Sequence, residues 1–481
     1  MRTGSEHELK LPRDFAGLWR LLLAICVPLA AGLLLRLWAL KYLYQVIGDS
    51  LIYGDIAKNL ILHGSYALTG AGGDIYSTLI RLPGYPFLLA ACFRIFGMEN
   101  YFAASCLQIG LELAGCLLLA DFVRRIAPAA IARRAALVTL WIACLCPFTA
   151  SYTPTPLAET PTLFAIALAL WSLACFRARP GWRYALLFTF AIVLATLLRP
   201  DGALVGVALA PAALLGMPRL LIHPVRLARI AAVCTVLALA PFALWMVRNW
   251  VVFDVFEPLA PRLATDPGED PHLGWEAWVK SWCLDFNCTY NIYWNVPGDN
   301  FDIAQLPPLA FDSPAQYAET AALAADYNKT YVISSDLDAR FARLAQERAA
   351  AHPWRTKFWM PVGRLANMWF RPRIENLPVD LDWQVYSKHH NETVFSWAWA
   401  GLNVLFILAA IAGLCLRPRF WLPMLAYMLL RSALLLTIEA PEARYTLECF
   451  PMIFALGGIA LAAGSSRLEQ IGCNEPPNPG C

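Results

Sequence analysis

Residues 21–40 read LLLAICVPLAAGLLLRLWAL, a run as long as the roughly 20 apolar residues that an α-helix needs to cross a bilayer. Similar runs recur along the chain, in which 59% of the 481 residues are hydrophobic and 15% are charged. Soluble domains carry about 25% charged residues, and one core cannot bury so much apolar surface. We therefore predict an integral membrane protein with many spans, which excludes a soluble enzyme, a disordered chain and a secreted mini-protein.

Ten segments are long and apolar enough to be predicted as spans. They are Leu21–Leu40, Tyr101–Val123, Ala135–Ala150, Leu157–Phe176, Tyr184–Leu198, Ala203–Met217, Ile230–Val247, Phe395–Leu416, Phe420–Ile438 and Leu447–Gly464. The third, fifth and sixth are short. Tyr85–Gly97 is too short to cross and contains Arg94, so we interpret it as an interfacial or re-entrant helix.

Basic residues predict the orientation of these spans. With the N-terminus inside (Arg2, Lys10, Arg13 and Arg20), the basic connections at 124–134, 177–183, 219–229 and 417–419 fall on the same side. This is a positive-inside pattern, so both termini are predicted to be cytoplasmic. The first span has no small-residue cleavage site after it, which favours an uncleaved signal anchor.

This topology divides the chain into five parts. They are a cytoplasmic N-terminus (1–20), seven spans with a large outer loop at 41–100 (21–249), an extracytoplasmic insertion domain (250–393), three spans (394–465) and a cytoplasmic tail (466–481). In the insertion domain we predict a helix at Asp336–Ala351. Trp354–Phe370 mixes aromatic with basic residues and is predicted to lie on the membrane surface, with crossing as the less favoured alternative. Cys283 and Cys288 can close a short disulfide outside the cell, although this spacing also arises by chance, so the pairing is left open.

Charged residues collect at the outer ends of the predicted spans. They are Asp49, Asp55, Arg81, Glu159, Arg199, Asp201, Arg248, Glu439, Glu442 and Arg444. Charges close to the membrane are expensive, and snorkelling anchors would not place so many acids together with bases on the outer side. The grouping favours one shared extracytoplasmic site over separate helix caps and anchors.

The first outer loop carries the most regular polar pattern. Asp49, Tyr53 and Ala57 recur every four residues, which places them on one face of a helix. Asp49 also fits a helix N-cap, and Asp55 lies off that face, where a solvated charge is the simpler interpretation. Downstream, residues 81–86 (RLPGYP) form a rigid turn that holds Arg81 near lipid phosphates, either as a binding group or as a snorkelling anchor.

These motifs resemble those of GT-C membrane glycosyltransferases, above all the dolichyl-phosphate-mannose protein mannosyltransferases (glycosyltransferase family 39) and the bacterial aminoarabinose transferases. The family motif Asp-Glu-x-x-Tyr-x-x-x-Ala is matched by residues 49–57, with Ser50 replacing the second acid. Its basic Pro/Gly/Tyr turn and helix ending in Phe-Gly are matched by residues 81–97. Weaker matches follow in family order at residues 158–160 (AET), 198–200 (LRP), 248–250 (RNW), 351–353 (AHP) and 441–445 (PEARY).

The resemblance implies an all-α polytopic membrane protein of about ten transmembrane helices, GT-C-like, with an extracytoplasmic insertion, in a bacterial inner membrane. It implies transfer of a sugar, with inversion, from a polyprenyl-phosphate donor to a hydroxyl of a glycan, lipid or protein acceptor that approaches through the insertion domain. No cofactor is required. A divalent metal is left open, because Ser50 breaks the acidic pair. Nucleic acid is not expected as a partner, because the 38 basic and 35 acidic residues nearly balance.

Roles for the site residues follow from this chemistry. Asp49 is the candidate general base, with a pKa raised by partial desolvation. Arg81, and after it Arg248 and Arg444, would stabilise the departing phosphate. Three tyrosines would position the sugar or phosphate, unless they are interfacial belt residues: Tyr53, Tyr85 and Tyr445. Five further charged residues would form a supporting polar network: Asp55, Glu159, Arg199, Asp201 and Glu442.

Other functions are less well supported by the sequence. The Asp-x-Asp pairs at 336–338 and 380–382 resemble the metal-binding motif of enzymes that use nucleotide sugars, but they are predicted to lie outside, where such donors are scarce. Asp336 is predicted to cap a helix. Residues 389–392 (HHNE) are interpreted as a solvated linker rather than a metal site. A lipid-linked saccharide flippase or transporter would carry ionisable groups near mid-membrane. Arg431 fits that pattern, and we interpret it as a buried partner of a carboxylate such as Glu439. A transferase with a pyrophosphate-linked donor is a third alternative.

Overall fold

The computed structural model describes residues 15–215 and 224–473. The described chain is almost entirely helical, with one two-stranded sheet. Predicted features that fall on Arg2, Lys10, Arg13, Arg219 and the far end of the tail lie outside the described residues.

Six helices are long and apolar enough to cross a membrane. They are Trp19–Tyr42, Tyr101–Ile126, Glu159–Ala178, Pro224–Phe253, His390–Cys415 and Ala443–Ser465. Four shorter apolar helices are Gly84–Phe96, Trp182–Leu198, Pro200–Leu214 and Trp421–Leu435. Nine of the ten predicted spans coincide with one of these elements, which confirms a polytopic α-helical fold.

The third predicted span, Ala135–Ala150, is divided in two. A helix of 13 residues covers Ala132–Cys144, and a separate turn of helix covers Pro147–Ala150. Pro147 has no backbone N–H, so it begins the second piece rather than continuing the first. At about 1.5 Å per residue the longer piece is roughly 20 Å long, which is shorter than the hydrocarbon layer.

The helices of the bundle approach each other closely at glycines. A Cβ atom on Gly413 would collide with the backbone of Leu456, and one on Gly458 would collide with Thr139. Small residues at helix contacts are typical of membrane bundles, where dispersion between close backbones drives association. The helix that begins at Glu159 is buried on almost all sides, so the Glu159 carboxylate at its start lies inside the protein.

The large outer loop forms a small folded unit. Helix Asp49–His63 is followed by antiparallel strands Ala67–Thr69 and Ile75–Ser77, and then by helix Gly84–Phe96. The two strands were not predicted from the sequence.

The insertion domain has its own aromatic core, in which Trp275, Trp278, Trp282 and Phe341 are buried. Cys283 and Cys288 are joined by a disulfide, which settles the pairing. Its helices are Leu273–Lys280, Phe286–Cys288, Pro314–Tyr327, Ser335–Ala351 and Met360–Phe370, the last preceded by a π-helical turn at Arg355–Trp359. The helices predicted at Asp336–Ala351 and Trp354–Phe370 are therefore present, and the membrane position of the second stays a prediction.

Candidate functional site

Asp49 is held between two arginines that are distant in sequence. Its Oδ1 accepts a hydrogen bond from Arg81 Nη2 at 2.6 Å, and its Oδ2 accepts one from Arg444 Nη2 at 3.1 Å. Asp49 is the first residue of its helix and makes no capping bond, because Gly48 is the N-cap residue. The capping interpretation is therefore wrong, and the carboxylate instead joins the outer loop to the C-terminal part of the chain.

The two guanidinium groups determine the protonation of this carboxylate. Burial raises the pKa of Asp49, but Arg444 and Arg81 outweigh burial and hold the pKa well below its usual range. The predicted upward shift is wrong because the sequence could not show that two cations lie on one carboxylate. With both arginines in place Asp49 is ionised and only weakly basic.

Arg444 connects Asp49 to two further acids. Its Nε lies 2.5 Å from Glu442 Oε2, and its Nη1 lies 3.6 Å from Glu159 Oε1. The Tyr445 hydroxyl also donates to Glu442. Burial raises the pKa of Glu442 despite the neighbouring Arg444. Three side chains of the motif at residues 441–445 therefore interact with one another beside Asp49: Glu442, Arg444 and Tyr445.

Arg199 extends the cluster into the protein. It lies 2.9 Å from both Glu159 Oε1 and Glu448 Oε1, and 3.3 Å from Asp201 Oδ1. Arg431 then pairs with Asp201 at 2.9 Å and with Glu448. Nine charged groups are linked in this way, and we call them the charge network: Asp49, Arg81, Glu159, Arg199, Asp201, Arg431, Glu442, Arg444 and Glu448.

The partner predicted for Arg431 is wrong. Glu439 instead pairs with Lys280, at 3.0 Å, and with Arg262 of the insertion domain, because it lies in the connection after helix Trp421–Leu435 rather than within the bundle. Glu448 is the acid that the sequence interpretation missed. It is the acidic residue inside the predicted span Leu447–Gly464. An acid within a span is costly unless it is paired, so the sequence could have indicated Glu448 as the partner of a buried base.

The two ends of the charge network differ in exposure. The side chains of Asp49 and Arg81 are 24% and 21% exposed, whereas Glu448 and Arg431 are 1% and 0% exposed. A ligand can therefore reach the Asp49–Arg81 end, and the other end is enclosed by protein.

Two tyrosines form a wall beside Asp49. The Arg81 guanidinium lies over the Tyr53 ring at 5.9 Å, and the Tyr53 and Tyr85 rings meet edge to face at 4.9 Å. Burial, followed by the charge of Asp49, raises the pKa of Tyr53 to about 12. The Tyr85 hydroxyl donates to Gln108 Oε1 at 2.7 Å, so Tyr53 is the tyrosine of this pair that faces the arginine. The Tyr445 ring lies 5.7 Å from both Arg199 and Arg444.

A glycine in the RLPGY turn allows the loop to reach the network. A Cβ atom on Gly84 would lie 2.6 Å from the Leu197 carbonyl oxygen. The turn therefore packs directly against the end of helix Trp182–Leu198, next to Arg199. This contact is the physical reason for a glycine between Arg81 and Tyr85.

Asp55 and Arg248 lie apart from the charge network and have no described contact with it. Asp55 accepts hydrogen bonds from the Thr69 amide at 2.6 Å and the Thr69 hydroxyl at 2.9 Å, and it fastens the first strand to the loop helix. Arg248 donates to the carbonyl oxygens of Thr78 and Tyr66 at 2.8 and 2.9 Å. Both side chains stabilise the outer loop, which does not favour the phosphate-binding role predicted for Arg248.

One group in the described chain has the composition of a cation site. Asp380, Asp382 and His389 place ligand atoms within 4.8 Å of one another, although exposed acidic groups are common in proteins without an ion. At the Asp49 site, Ser50 is buried and its hydroxyl has no hydrogen-bond partner among the described residues.

The other Asp-x-Asp pair supports helix ends. Ser334, rather than the predicted Asp336, caps helix Ser335–Ala351. Asp338 accepts hydrogen bonds from the Gly274 and Trp275 amides, both at 2.9 Å.

The chain is similar to a few solved structures, all at low sequence identity. No protein-family model and no curated protein matches the sequence. The chain is similar to ArnT from Cupriavidus metallidurans bound to undecaprenyl phosphate, with a TM-score of 0.40 and 16% identity over 94% of this chain and 81% of ArnT. The apo state of ArnT gives a TM-score of 0.39 and 16% identity over 96% of this chain and 82% of ArnT.

A second solved structure is the archaeal oligosaccharyltransferase AglB from Archaeoglobus fulgidus, in complex with an inhibitory peptide and a dolichol-phosphate. It matches with a TM-score of 0.47 and 12% identity over 96% of this chain and 53% of AglB, so this chain spans about half the length of AglB. Both proteins are GT-C membrane glycosyltransferases, the class that the sequence motifs resemble. The likeness concerns the overall helical fold, and at these TM-scores and identities it carries no inference about substrate or reaction.

Proposed function

We propose that this chain is a membrane glycosyltransferase that moves a sugar from a polyprenyl-phosphate donor to an acceptor hydroxyl on the extracytoplasmic side. The observation that carries the proposal is the Asp49 carboxylate between Arg81 and Arg444, at the accessible end of the charge network. All three residues belong to the motifs that resemble the GT-C family. The proposal places the protein in a bacterial inner membrane with this site outside.

Two guanidinium groups at one accessible point suit a phosphate. A polyprenyl-phosphate sugar carries one negative charge, and its phosphate gains a second as the bond to the anomeric carbon breaks. Arg81 and Arg444 can stabilise that charge because guanidinium groups bind phosphate oxygens in a bidentate manner. Interactions that strengthen as charge develops lower the barrier rather than merely holding the substrate.

Phosphate binding would also change Asp49. The arginines keep the pKa of Asp49 low, and a phosphate that draws their hydrogen bonds away weakens this effect. Asp49 then becomes a better base when the donor is in place. It takes the proton from the acceptor hydroxyl, the acceptor oxygen attacks the anomeric carbon with inversion, and the polyprenyl phosphate leaves with the bonding electron pair.

The competing candidate is a flippase or transporter. Arg431 and Glu448 form a deeply buried pair, and ionisable groups at membrane depth are typical of transport pathways. This pair is enclosed, however, and Arg199 and Asp201 tie it to the Asp49 end of the network. The arrangement supports a stabilising role for the buried pair and a reaction at the exposed end.

A transfer assay distinguishes the two functions. Purified protein is given radiolabelled polyprenyl-phosphate hexose and envelope acceptors, and label on the acceptor is measured for wild type, Asp49→Asn and Asp74→Asn. Asp74 is an exposed acid of the same loop, so its variant controls for loss of charge. Asp49→Asn is expected to reduce transfer by about 100- to 10,000-fold, the range of general acid–base catalysis.

Turnover of Asp49→Asn at the wild-type rate would remove Asp49 from the mechanism. Donor binding without transfer by any variant, together with movement of the lipid across liposomes, would favour the flippase.

A further inference from the structure

The insertion domain contains a cavity that the proposed reaction at Asp49 does not use. Its volume is about 550 Å³. His272, Trp275 and Glu276 line it from helix Leu273–Lys280 and its N-cap, and Tyr293 and Trp294 line it from the segment that follows the disulfide. A cavity of this size accommodates a small molecule or one to two sugar rings.

Three of the lining side chains have buried polar atoms with no hydrogen-bond partner in the described parts of the chain. They are Glu276 Oε2, Trp275 Nε1 and His272 Nδ1. Buried polar atoms in folded proteins are nearly always paired, so these atoms indicate a missing partner. An indole N–H can only donate, and an ionised carboxylate can only accept. Burial raises the pKa of Glu276 to about 7, so its carboxylate is mostly ionised above neutral pH. Hydroxyl groups suit both kinds of atom, because a hydroxyl can accept from an indole N–H and can donate to a carboxylate.

The charges of the lining exclude an anionic occupant. Glu269, Asp270 and Glu276 lie in the wall, and the described residues that line the cavity include no lysine or arginine. Phosphate groups and acidic lipid headgroups are therefore repelled. The Glu276 carboxylate is already oriented, because Tyr293 donates its hydroxyl hydrogen to Glu276 Oε1 at 2.8 Å, which leaves Oε2 for a ligand.

Aromatic faces complete the lining. Trp294 is 46% exposed at the cavity, whereas Trp275 is buried in the aromatic core of the domain. An exposed indole next to oriented polar groups offers a flat apolar surface to the C–H face of a sugar ring, while the polar groups bind its hydroxyls.

The cavity is attached to the segment that enters the charge network. Lys280, one helical turn after Glu276, binds Glu439 at 3.0 Å and the Thr437 carbonyl at 2.6 Å. The Thr289 hydroxyl donates to the Pro441 carbonyl at 3.1 Å, and Pro441 directly precedes Glu442. The wall of the cavity is thus fixed to residues that lead to Arg444.

From this arrangement we infer that the cavity binds an uncharged, polyhydroxylated carbohydrate portion of the acceptor and holds it beside the Asp49 site. The inference rests on the proposed function for the identity of the acceptor. It assigns Glu276 and Trp275 to sugar hydroxyls and Trp294 to the face of a sugar ring. The acceptor class is accordingly a glycan rather than a phosphorylated lipid.

The test measures glycan binding directly, without the donor. The full chain is placed in lipid nanodiscs, which avoids detergents with sugar headgroups, and is applied to an array of defined neutral, amine-bearing and phosphorylated oligosaccharides. Wild type is expected to bind neutral members. At pH 8, above the raised pKa of Glu276, Glu276→Gln is expected to weaken binding by about tenfold or more, the loss of a hydrogen bond to a charged group. Trp294→Ala is expected to weaken it by about fivefold, the loss of an aromatic contact.

Controls separate this inference from the proposed function. Tyr317→Ala removes an exposed aromatic ring of the same domain that does not line the cavity, and its binding should equal that of wild type. Asp49→Asn should bind glycan normally, and Glu276→Gln should bind undecaprenyl phosphate normally, which also shows that the variant is folded. Glycan binding by a wild type that transfers no sugar would refute the transferase but not the cavity.

Three results would overturn the inference. They are absence of glycan binding by wild type, binding that Glu276→Gln and Trp294→Ala leave unchanged, and binding confined to amine-bearing or phosphorylated members.

Discussion

Replacing Arg81 with alanine tests the role of the accessible arginine. Arg81 Nη2 lies 2.6 Å from Asp49 Oδ1, and both side chains are about one-fifth to one-quarter exposed (21% and 24%). A hydrogen bond to a charged group contributes about 1.5–3 kcal/mol, which corresponds to about 10- to 150-fold in a binding constant. We expect Arg81→Ala to weaken the binding of undecaprenyl phosphate by this factor and to slow transfer further, because the phosphate gains charge in the transition state.

The same substitution should change the pH dependence of transfer. Arg81 is one of two cations that lower the pKa of Asp49, and the other titratable groups that act on or beside Asp49 are Arg444, Tyr53 and Glu442. A general base must be ionised, so activity falls as the pH drops through the pKa of Asp49. Without Arg81 this pKa rises, and the acidic limb of kcat/KM moves to higher pH.

Donor binding is measured with radiolabelled undecaprenyl phosphate on protein in nanodiscs, and transfer is measured from pH 4 to pH 9. Arg94→Ala is the matched control, because Arg94 is an exposed arginine of the same outer loop. Arg81→Lys should recover only part of the affinity, since lysine lacks the planar fork of a guanidinium. Equal affinity, rate and pH profile for Arg81→Ala and Arg94→Ala would refute a phosphate role and leave Arg81 as an anchor.

Three further substitutions test the scaffold of the site. Arg431→Ala breaks the buried pairs with Glu448 and Asp201 and leaves Arg199 as the remaining cation on Glu448, so the variant is expected to lose about 3 kcal/mol of stability, visible as a lower melting temperature; an unchanged value would show that the Arg431 pairs are dispensable. Gly84→Ala drives a Cβ atom against Leu197 and should cost about 1–3 kcal/mol together with most transfer activity, whereas full activity would mean that the turn can move. Cys288→Ser opens a short disulfide loop and should cost about 2 kcal/mol, measured by thermal unfolding with and without reductant; a wild-type melting temperature that reductant leaves unchanged would contradict a stabilising bond.

The sequence predicted the helices well because membrane spans depend on a simple property. A continuous apolar run such as residues 21–40 must become a helix, since backbone groups in lipid have no other partners. The short strands at Ala67–Thr69 and Ile75–Ser77 were missed because three-residue strands carry little pattern. Their position depends on Asp55 and Arg248, whose bonds to the loop are visible only in three dimensions.

The members of the site were predicted better than their pairing. The interpretation that charged residues at outer helix ends share one site is supported by the contacts of Asp49, Arg81, Glu159, Arg199 and Arg444. Which acid faces which base depends on helix rotation and on contacts between residues up to 395 positions apart. For this reason the partner of Arg431 and the direction of the Asp49 pKa shift were wrong.

The difference in exposure between the two ends explains why one network can serve both stability and the proposed chemistry. Arg431 and Glu448 are enclosed, so their attraction is little screened, and the loss of either one leaves a buried charge with one opposite partner fewer. Asp49 and Arg81 remain within reach of a ligand, so their bond can be exchanged for one to phosphate at a smaller cost in desolvation. Arg444 and Glu159 lie between the two ends and connect them. In the proposed mechanism, a phosphate that draws Arg81 and Arg444 away from Asp49 therefore acts on an otherwise fixed framework, and its effect is concentrated at the carboxylate that we propose as the proton acceptor.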